Sequence, residues 1–282
     1  MSFPIPSRRN RDTVDVERDE RKRRKSPGSF FYSQGRGQVL AASYFTDERL
    51  AKSARGGIAL KHRHRIHLAL FGQLMASFEY FLKDFVAKAV DATTLLDEKI
   101  KKEKWLEINV DRVLANRSGM ATIGSTLVHS TLGWHSPAQV NARYCSLFNR
   151  NAFSAREVET LEKLWVLRHS VAHNAGMIIH YDATRIGDEL LADHAADIDA
   201  AFITETFNFL SPIAKTICEE CGGNLLRQQF LPLHERGPDY IADISVYARL
   251  KPIFEYVESR SQELSRTDQR SYRADFAQFS SP

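Results

Sequence analysis

The sequence predicts an all-α protein, and three observations carry that prediction. Apolar residues recur at spacings of three and four from Leu70 to Val86, again from Ser154 to Ala172, and again from Asp193 to Cys221; this is the period of one helix face. No run of alternating residues marks a set of β-strands, and no internal repeat is present. Hydrophobic content of 43% with 26% charged residues is ordinary for a folded soluble chain and excludes wholesale disorder. The 282 residues leave room for one substantial core.

Taken in order, residues 1–28 read as a disordered basic tail. They hold few large apolar side chains, so they cannot bury enough surface to offset the entropy of ordering. They also contain nine Lys and Arg, including the run Arg21-Lys22-Arg23-Arg24-Lys25, against five acids. The formal charge of +4 therefore belongs to this tail, because 30 basic and 30 acidic residues remain in 29–282. Such a tail either adds sequence-independent attraction to phosphate or is simply solvated.

From Arg49 to His67 the chain carries six Lys and Arg, three His and no acid. Gly56-Gly57 is expected to break this stretch into two helical pieces. A long helix through the middle of the core follows, with Phe71, Leu74, Phe78, Phe81 and Phe85 on one face, widened by Leu70, Met75, Leu82 and Val86. Residues 97–150 read as shorter helices and loops, with a turn at Asn116-Arg117-Ser118-Gly119. Ser136-Pro137 reads as a capped helix start with proline at the first helical position.

Ser154-Ala155-Arg156-Glu157 has the form of a capping box. The helix it opens should stop around Asn174-Ala175-Gly176, because Asn and Gly tolerate the left-handed conformation. Met177 to Tyr181 reads as a short strand or extended loop, and Gly187-Asp188 as a turn. The next helix is expected from about Asp193 to Cys221, kinked rather than ended by Pro212, with Cys221-Gly222-Gly223 stopping it. A last helix is expected over Pro238 to Glu258, followed by a polar tail. The expected domains are thus the tail 1–28, a helical domain 29–232, and a C-terminal helix and tail 233–282.

The most informative oddity lies on the third of these helices. Leu161, Trp165, Arg168 and Ala172 are spaced four, three and four apart, so Arg168 stands where the stripe calls for a leucine. A guanidinium on an apolar stripe needs an anionic partner or a polar interface. His173 follows about 140° around and about 7.5 Å along an ideal helix, in the last turn. There the helix dipole favours imidazolium. A permanent cation beside a titratable imidazole suits phosphodiester chemistry. An Arg held by a neighbouring Glu and a His capping its own helix would account for the same residues.

Arg168-His169-Ser170-Val171-Ala172-His173-Asn174-Ala175-Gly176 resembles the R-x4-6-H signature of HEPN domains (higher eukaryotes and prokaryotes nucleotide-binding). The resemblance spans roughly 60 to 222. It implies a helical bundle that dimerises, bringing two copies of the motif into one cleft, and in many members a metal-independent endoribonuclease. The 2′-OH of RNA attacks the adjacent phosphate and leaves a 2′,3′-cyclic phosphate and a 5′-OH. Carried over, His173 is the general acid/base, Arg168 stabilises charge on the phosphate, and His169 orients one of these or contacts the phosphate. Asn174 is the helix-end cap. Toxin or defence settings, with an antitoxin or regulatory partner, come from the resemblance alone. Some members carry a Tyr two residues after the His; here that position is Ala175, and Tyr181 is too distant to replace it. The alternative is an inactive HEPN module that binds RNA or a protein partner.

Glu79 lies among apolar residues and is expected either to pair with Arg168 or to sit exposed at the stripe's edge. Lys61, Arg63 and Arg65 are the candidate RNA-backbone contacts, against a plainly solvated face. His62, His64 and His67 lack a carboxylate or Cys within their run to complete a metal site. Cys218-Glu219-Glu220-Cys221 is a single C-x-x-C with no second pair, and His129 and His135 read as structural. No glycine-rich phosphate loop, H-E-x-x-H or G-x-S-x-G occurs, so neither metal nor cofactor is expected. No apolar run nears the roughly 18–20 residues of a membrane span. Met1-Ser-Phe-Pro-Ile-Pro lacks the apolar stretch of an export signal, and three cysteines make no disulfide framework. A cytoplasmic protein is expected.

Overall fold

A computed structural model describes residues 26–46, 62–106, 114, 122–129, 131, 133–234, 247, 250–251 and 253–256. Apart from one two-stranded ribbon the described chain is helices and turns: the fold is all-α. The principal helices are α1 (Pro27–Thr46), α2 (Arg63–Ala92), α3 (Asp97–Ile100), α4 (Ile123–Val128), α5 (Pro137–Phe148), α6 (Ala155–His173), α7 (His180–Ile186), α8 (Ala200–Ile217) and α9 (Gly223–His234). None of the described helices is long and apolar enough to cross a membrane.

The central element is α2, as its apolar spacing demands. Phe71, Leu74, Met75, Phe78, Phe81, Leu82, Phe85 and Val86 are all fully buried. Helices α1, α4, α6 and α8 pack around it. Its phenylalanines form an aromatic spine: Phe78 meets Phe31 of α1 at 5.4 Å and Trp165 of α6 at 6.2 Å between ring centroids. Phe71 meets Phe202 of α8 at 5.6 Å, and Phe85 meets Tyr144 of α5 at 6.1 Å. Edge and offset contacts of this kind add to the burial of each ring. The helix begins at Arg63, so the end of the basic stretch is its first turn. The expected break at Gly56-Gly57, the turn at 116–119 and Lys61 lie outside the described residues.

The boundary at residue 28 is corrected. Ser26, Pro27 and Gly28 are buried, and α1 starts at Pro27. The sequence reading gives α1 no element of its own, and Gly28, Gly35 and Gly37 lower its helical propensity. Gly35 serves packing: a Cβ there would lie 2.5 Å from the Phe207 ring and 3.2 Å from Leu74. The ring of α8 thus sits where a side chain would be.

The predicted capping box is present. Ser154 N donates to Glu157 Oε2 at 2.6 Å, and Glu157 N donates to Ser154 Oγ at 3.4 Å. Ser136 precedes α5 with Pro137 at its first turn, but its side chain makes no capping hydrogen bond. After α6 the left-handed residues are Ala175 (φ 53°) and Gly176 (φ 87°) rather than Asn174 (φ −114°). Met177–Ile178 is strand β1, paired antiparallel with His194–Ala195 (β2) in the register Met177↔Ala195 and Ile178↔His194. Helix α7 between them is not anticipated by the sequence pattern.

Helix α8 starts at Ala200, later than the expected Asp193, because Asp199 Oδ1 accepts from Phe202 N at 2.8 Å and caps it there. Pro212 lies inside α8, which continues past it as expected. Cys221-Gly222-Gly223 does not end the helical run. A π-helical turn, Cys218–Gly222, leads straight into α9, and Gly222 gives room to Phe254. Of the expected last helix, residues 247, 250, 251, 253 and 254 are described and helical.

Candidate functional site

The chemistry-bearing residues gather at the end of α6. This helix runs antiparallel to α2: Trp165 lies beside Phe78, Val171 beside Gly72 and Gly176 beside Leu68. A Cβ on Gly176 would lie 2.8 Å from Leu68 Cδ1, so the turn that ends α6 sits directly on the start of α2. The last turn of α6 and the basic first turn of α2 therefore share one end of the bundle. Arg63 and Arg65 are exposed there, with His62 and His64. First-turn arginines oppose the helix dipole, and no acidic residue offsets them, so this turn concentrates positive potential.

Arg168 is not in a core position. Leu161 and Trp165 are buried, but Arg168 is half-buried and Ala172 exposed. The buried face turns instead to Leu164, Val166 and Ser170, because the end of α6 packs against α7 as well as α2. Among the described residues no carboxylate pairs with Arg168. Glu79 pairs with its own helix neighbour Lys83 at 2.9 Å. The Glu79–Arg168 pair considered from the sequence is absent, and the guanidinium is available to an incoming anion.

His169 and His173 are exposed, one turn apart on α6, with ring centroids 4.7 Å apart and planes inclined at 42°. Asn174 is the C-cap residue, and its backbone N–H donates to Ser170 O at 2.9 Å. Its side-chain Nδ2 also donates to Asp182 Oδ2 at 3.4 Å. Asp182, in α7, is fully buried and accepts a 2.8 Å hydrogen bond from Ser170 Oγ. Neither Ser170 nor Asp182 stands out in the sequence. The available signal is a Ser one helical turn before the helix-ending Asn.

The remaining candidates separate. His67 is buried while His62 and His64 are exposed, so the three do not converge. Among the described residues no group of three or more His, Cys, Asp or Glu is arranged to hold a metal ion. Cys218 and Cys221 are buried in the π-helical turn that joins α8 to α9. Burial pushes both thiols up, Cys221 to about 12 and Cys218 further, which disfavours the thiolate that metal binding and redox exchange require. His129 stacks near Tyr80 (5.3 Å) and lies 3.7 Å from the buried Asp84, holding α4 against α2. His135 is exposed. No family model matches the chain, and neither does any curated protein or solved structure.

Proposed function

We propose that this protein is a metal-independent endoribonuclease of the HEPN type, acting as a homodimer. The observation that carries the reading is the pairing of an anion-free Arg168 with the exposed His169–His173 pair, at the bundle end that also presents Arg63 and Arg65. A phosphodiester bridging this end meets a fixed cation, two imidazoles and further positive potential for its backbone. His173 takes the proton of the 2′-OH as that oxygen bonds to phosphorus, and the bond to the 5′-oxygen breaks. A second imidazole returns a proton to the leaving oxygen. Arg168 stabilises the extra charge on the phosphoryl oxygens. A shared cleft between two copies would double this set. A toxin or defence role, with a regulatory partner protein, accords with the resemblance.

The test is incubation of the purified protein with single-stranded RNA in EDTA. Cleavage to 2′,3′-cyclic phosphate and 5′-OH ends is expected, and it should be lost in both His173→Ala and Arg168→Ala. Cleavage that survives both substitutions, or that needs metal, overturns the mechanism.

A second reading is an inactive module that binds RNA or a protein. Met177, Ile179, Tyr181 and Leu190 favour it: all four are exposed on the segment that follows α6, Leu190 by 86%. Apolar surface beside the site suits a protein partner. RNA binding without cyclic-phosphate product, at high protein concentration, decides for this reading.

A further inference from the structure

Asp182 is the one carboxylate that reaches the last turn of α6 from another element among the described residues, and the proposed chemistry leaves it unused. Its side chain is fully buried, with Oδ2 held by Ser170 Oγ at 2.8 Å and Asn174 Nδ2 at 3.4 Å. The Ser170 hydroxyl has a single proton, and the Val166 carbonyl is farther at 3.4 Å, so that proton goes to Asp182. Oδ1 is buried with no partner, and no cation lies in ion-pair range among the described residues. Stability alone does not call for this arrangement. A buried acceptor left unmade costs free energy, and an apolar pair of similar shape would pack there at little or no loss.

The position of the two gripped residues gives the arrangement a purpose. Ser170 and Asn174 are one turn apart, and each directly follows one of the two histidines, His169 and His173. A clamp on 170 and 174 therefore fixes the rotation and height of 169 and 173. The same turn is where the backbone departs from the helix: Ser170 O accepts from both Asn174 N (2.9 Å) and Gly176 N (3.1 Å), and Ala175 is left-handed. Without a side-chain clamp, a helix end of this kind frays.

We infer that Asp182 is the positioning residue of the candidate site, acting through Ser170 and Asn174 to hold the His169–His173 imidazole pair. What the imidazoles then do rests on the ribonuclease reading; that they are held does not.

The experiment compares the full chain with a Ser170→Ala/Asp182→Leu double variant and with Asp182→Asn, which keeps an acceptor for Ser170. Three readouts are taken: thermal midpoint, kcat and KM on single-stranded RNA, and the nuclear Overhauser effect between the two imidazoles. The double variant should keep its thermal midpoint, fall about 100-fold in kcat with KM little changed, as small misplacements do, and no longer show the ring-to-ring effect. Asp182→Asn should recover most of the rate and the ring proximity. Wild-type kcat in the double variant, or a decrease that follows only its unfolded fraction, overturns the inference and leaves the ribonuclease reading standing. If the wild-type protein does not cleave RNA, the ribonuclease reading fails and the ring-to-ring effect decides alone: its disappearance in the double variant supports the clamp, its persistence overturns it. Should the double variant not fold, Ser170→Ala, which removes only the donor, takes its place; its thermal midpoint should fall, because Asp182 Oδ2 keeps only the Asn174 bond, and kcat per folded molecule and the ring-to-ring effect are judged as before.

Discussion

The imidazoles of His169 and His173 lie 4.7 Å apart on the exposed last turn of α6, one residue past the half-buried Arg168 at their nearer edge. Because Arg168 has no carboxylate partner among the described residues, removing it breaks no buried ion pair. Arg168→Ala and His173→Ala are therefore expected to change stability by about 0.5 kcal/mol or less, the range of surface substitutions, while abolishing cleavage. Chemical denaturation beside the RNA assay checks this. A loss of about 3 kcal/mol for Arg168→Ala would instead mark a structural charge whose partner is essential.

Arg63 and Arg65 should act on affinity, not chemistry. They stand in the first turn of α2, exposed, near the end of α6. If each neutralises a phosphate, the Arg63→Ala/Arg65→Ala variant weakens RNA binding across sequences. It also lowers the slope of log K against log salt by roughly 0.7 for each phosphate no longer neutralised. Binding measured at several salt concentrations reads this directly, and an unchanged slope places the RNA elsewhere. Removal of residues 1–25, with its nine Lys and Arg, should weaken binding and flatten the slope while leaving cleavage at saturating RNA intact. That deletion stops before Ser26, because Ser26 is buried, as Pro27 and Gly28 are.

The sequence made α2 and α6 legible because their signals are local: a regular phenylalanine stripe for one, a capping box and a terminal glycine for the other. It put His173 in the last turn of α6, but it misjudged Arg168 by extending the Leu161–Trp165 stripe past the point where the helix changes neighbours. What one-dimensional periodicity cannot carry is tertiary exchange. Gly35 looks like a helix breaker until Phe207 fills its missing side chain, and nothing in the sequence around Asp182 shows that Ser170 meets it from another helix. The early start given to α8 has the same origin, since Asp193 and Asp199 are equally good caps by type and only the ribbon at His194 decides between them.

Close helix approach gives a sharp steric test. Gly124 sits in the first turn of α4 where that helix meets α2. Its N–H donates to Asp91 Oδ1 at 2.7 Å, and a Cβ there would lie 1.9 Å from the Ala87 carbonyl oxygen. That obstacle is backbone and cannot rotate away. Gly124→Ala should therefore destabilise by about 1–3 kcal/mol, as overpacking does, despite alanine's better helix propensity. Urea unfolding measures it; a stabilised variant would mean that α4 does not sit against α2 at this distance.

The two buried cysteines predict an alkaline limit. Cys145 is exposed, whereas Cys218 and Cys221 are buried with their thiols raised, largest cause burial itself. One thiol per native chain should react quickly with an aromatic disulfide reagent at neutral pH, and two more only on unfolding. The linkage has a definite sign. In the unfolded chain Cys221 ionises near its ordinary value of 9.0, but in the fold it holds its proton up to about 12. Its contribution is fully present below pH 9 and is lost as pH rises from 9 toward 12, by about 1.4 kcal/mol for each pH unit in that window. Buried Tyr144, which burial also raises well above its usual range, steepens the same limb at higher pH. Comparing wild type with Cys221→Ala isolates the thiol: the variant's stability should fall less steeply between pH 9 and 12. Equal slopes would mean that Cys221 ionises as readily in the fold as out of it, and so is not sealed in the turn that joins α8 to α9.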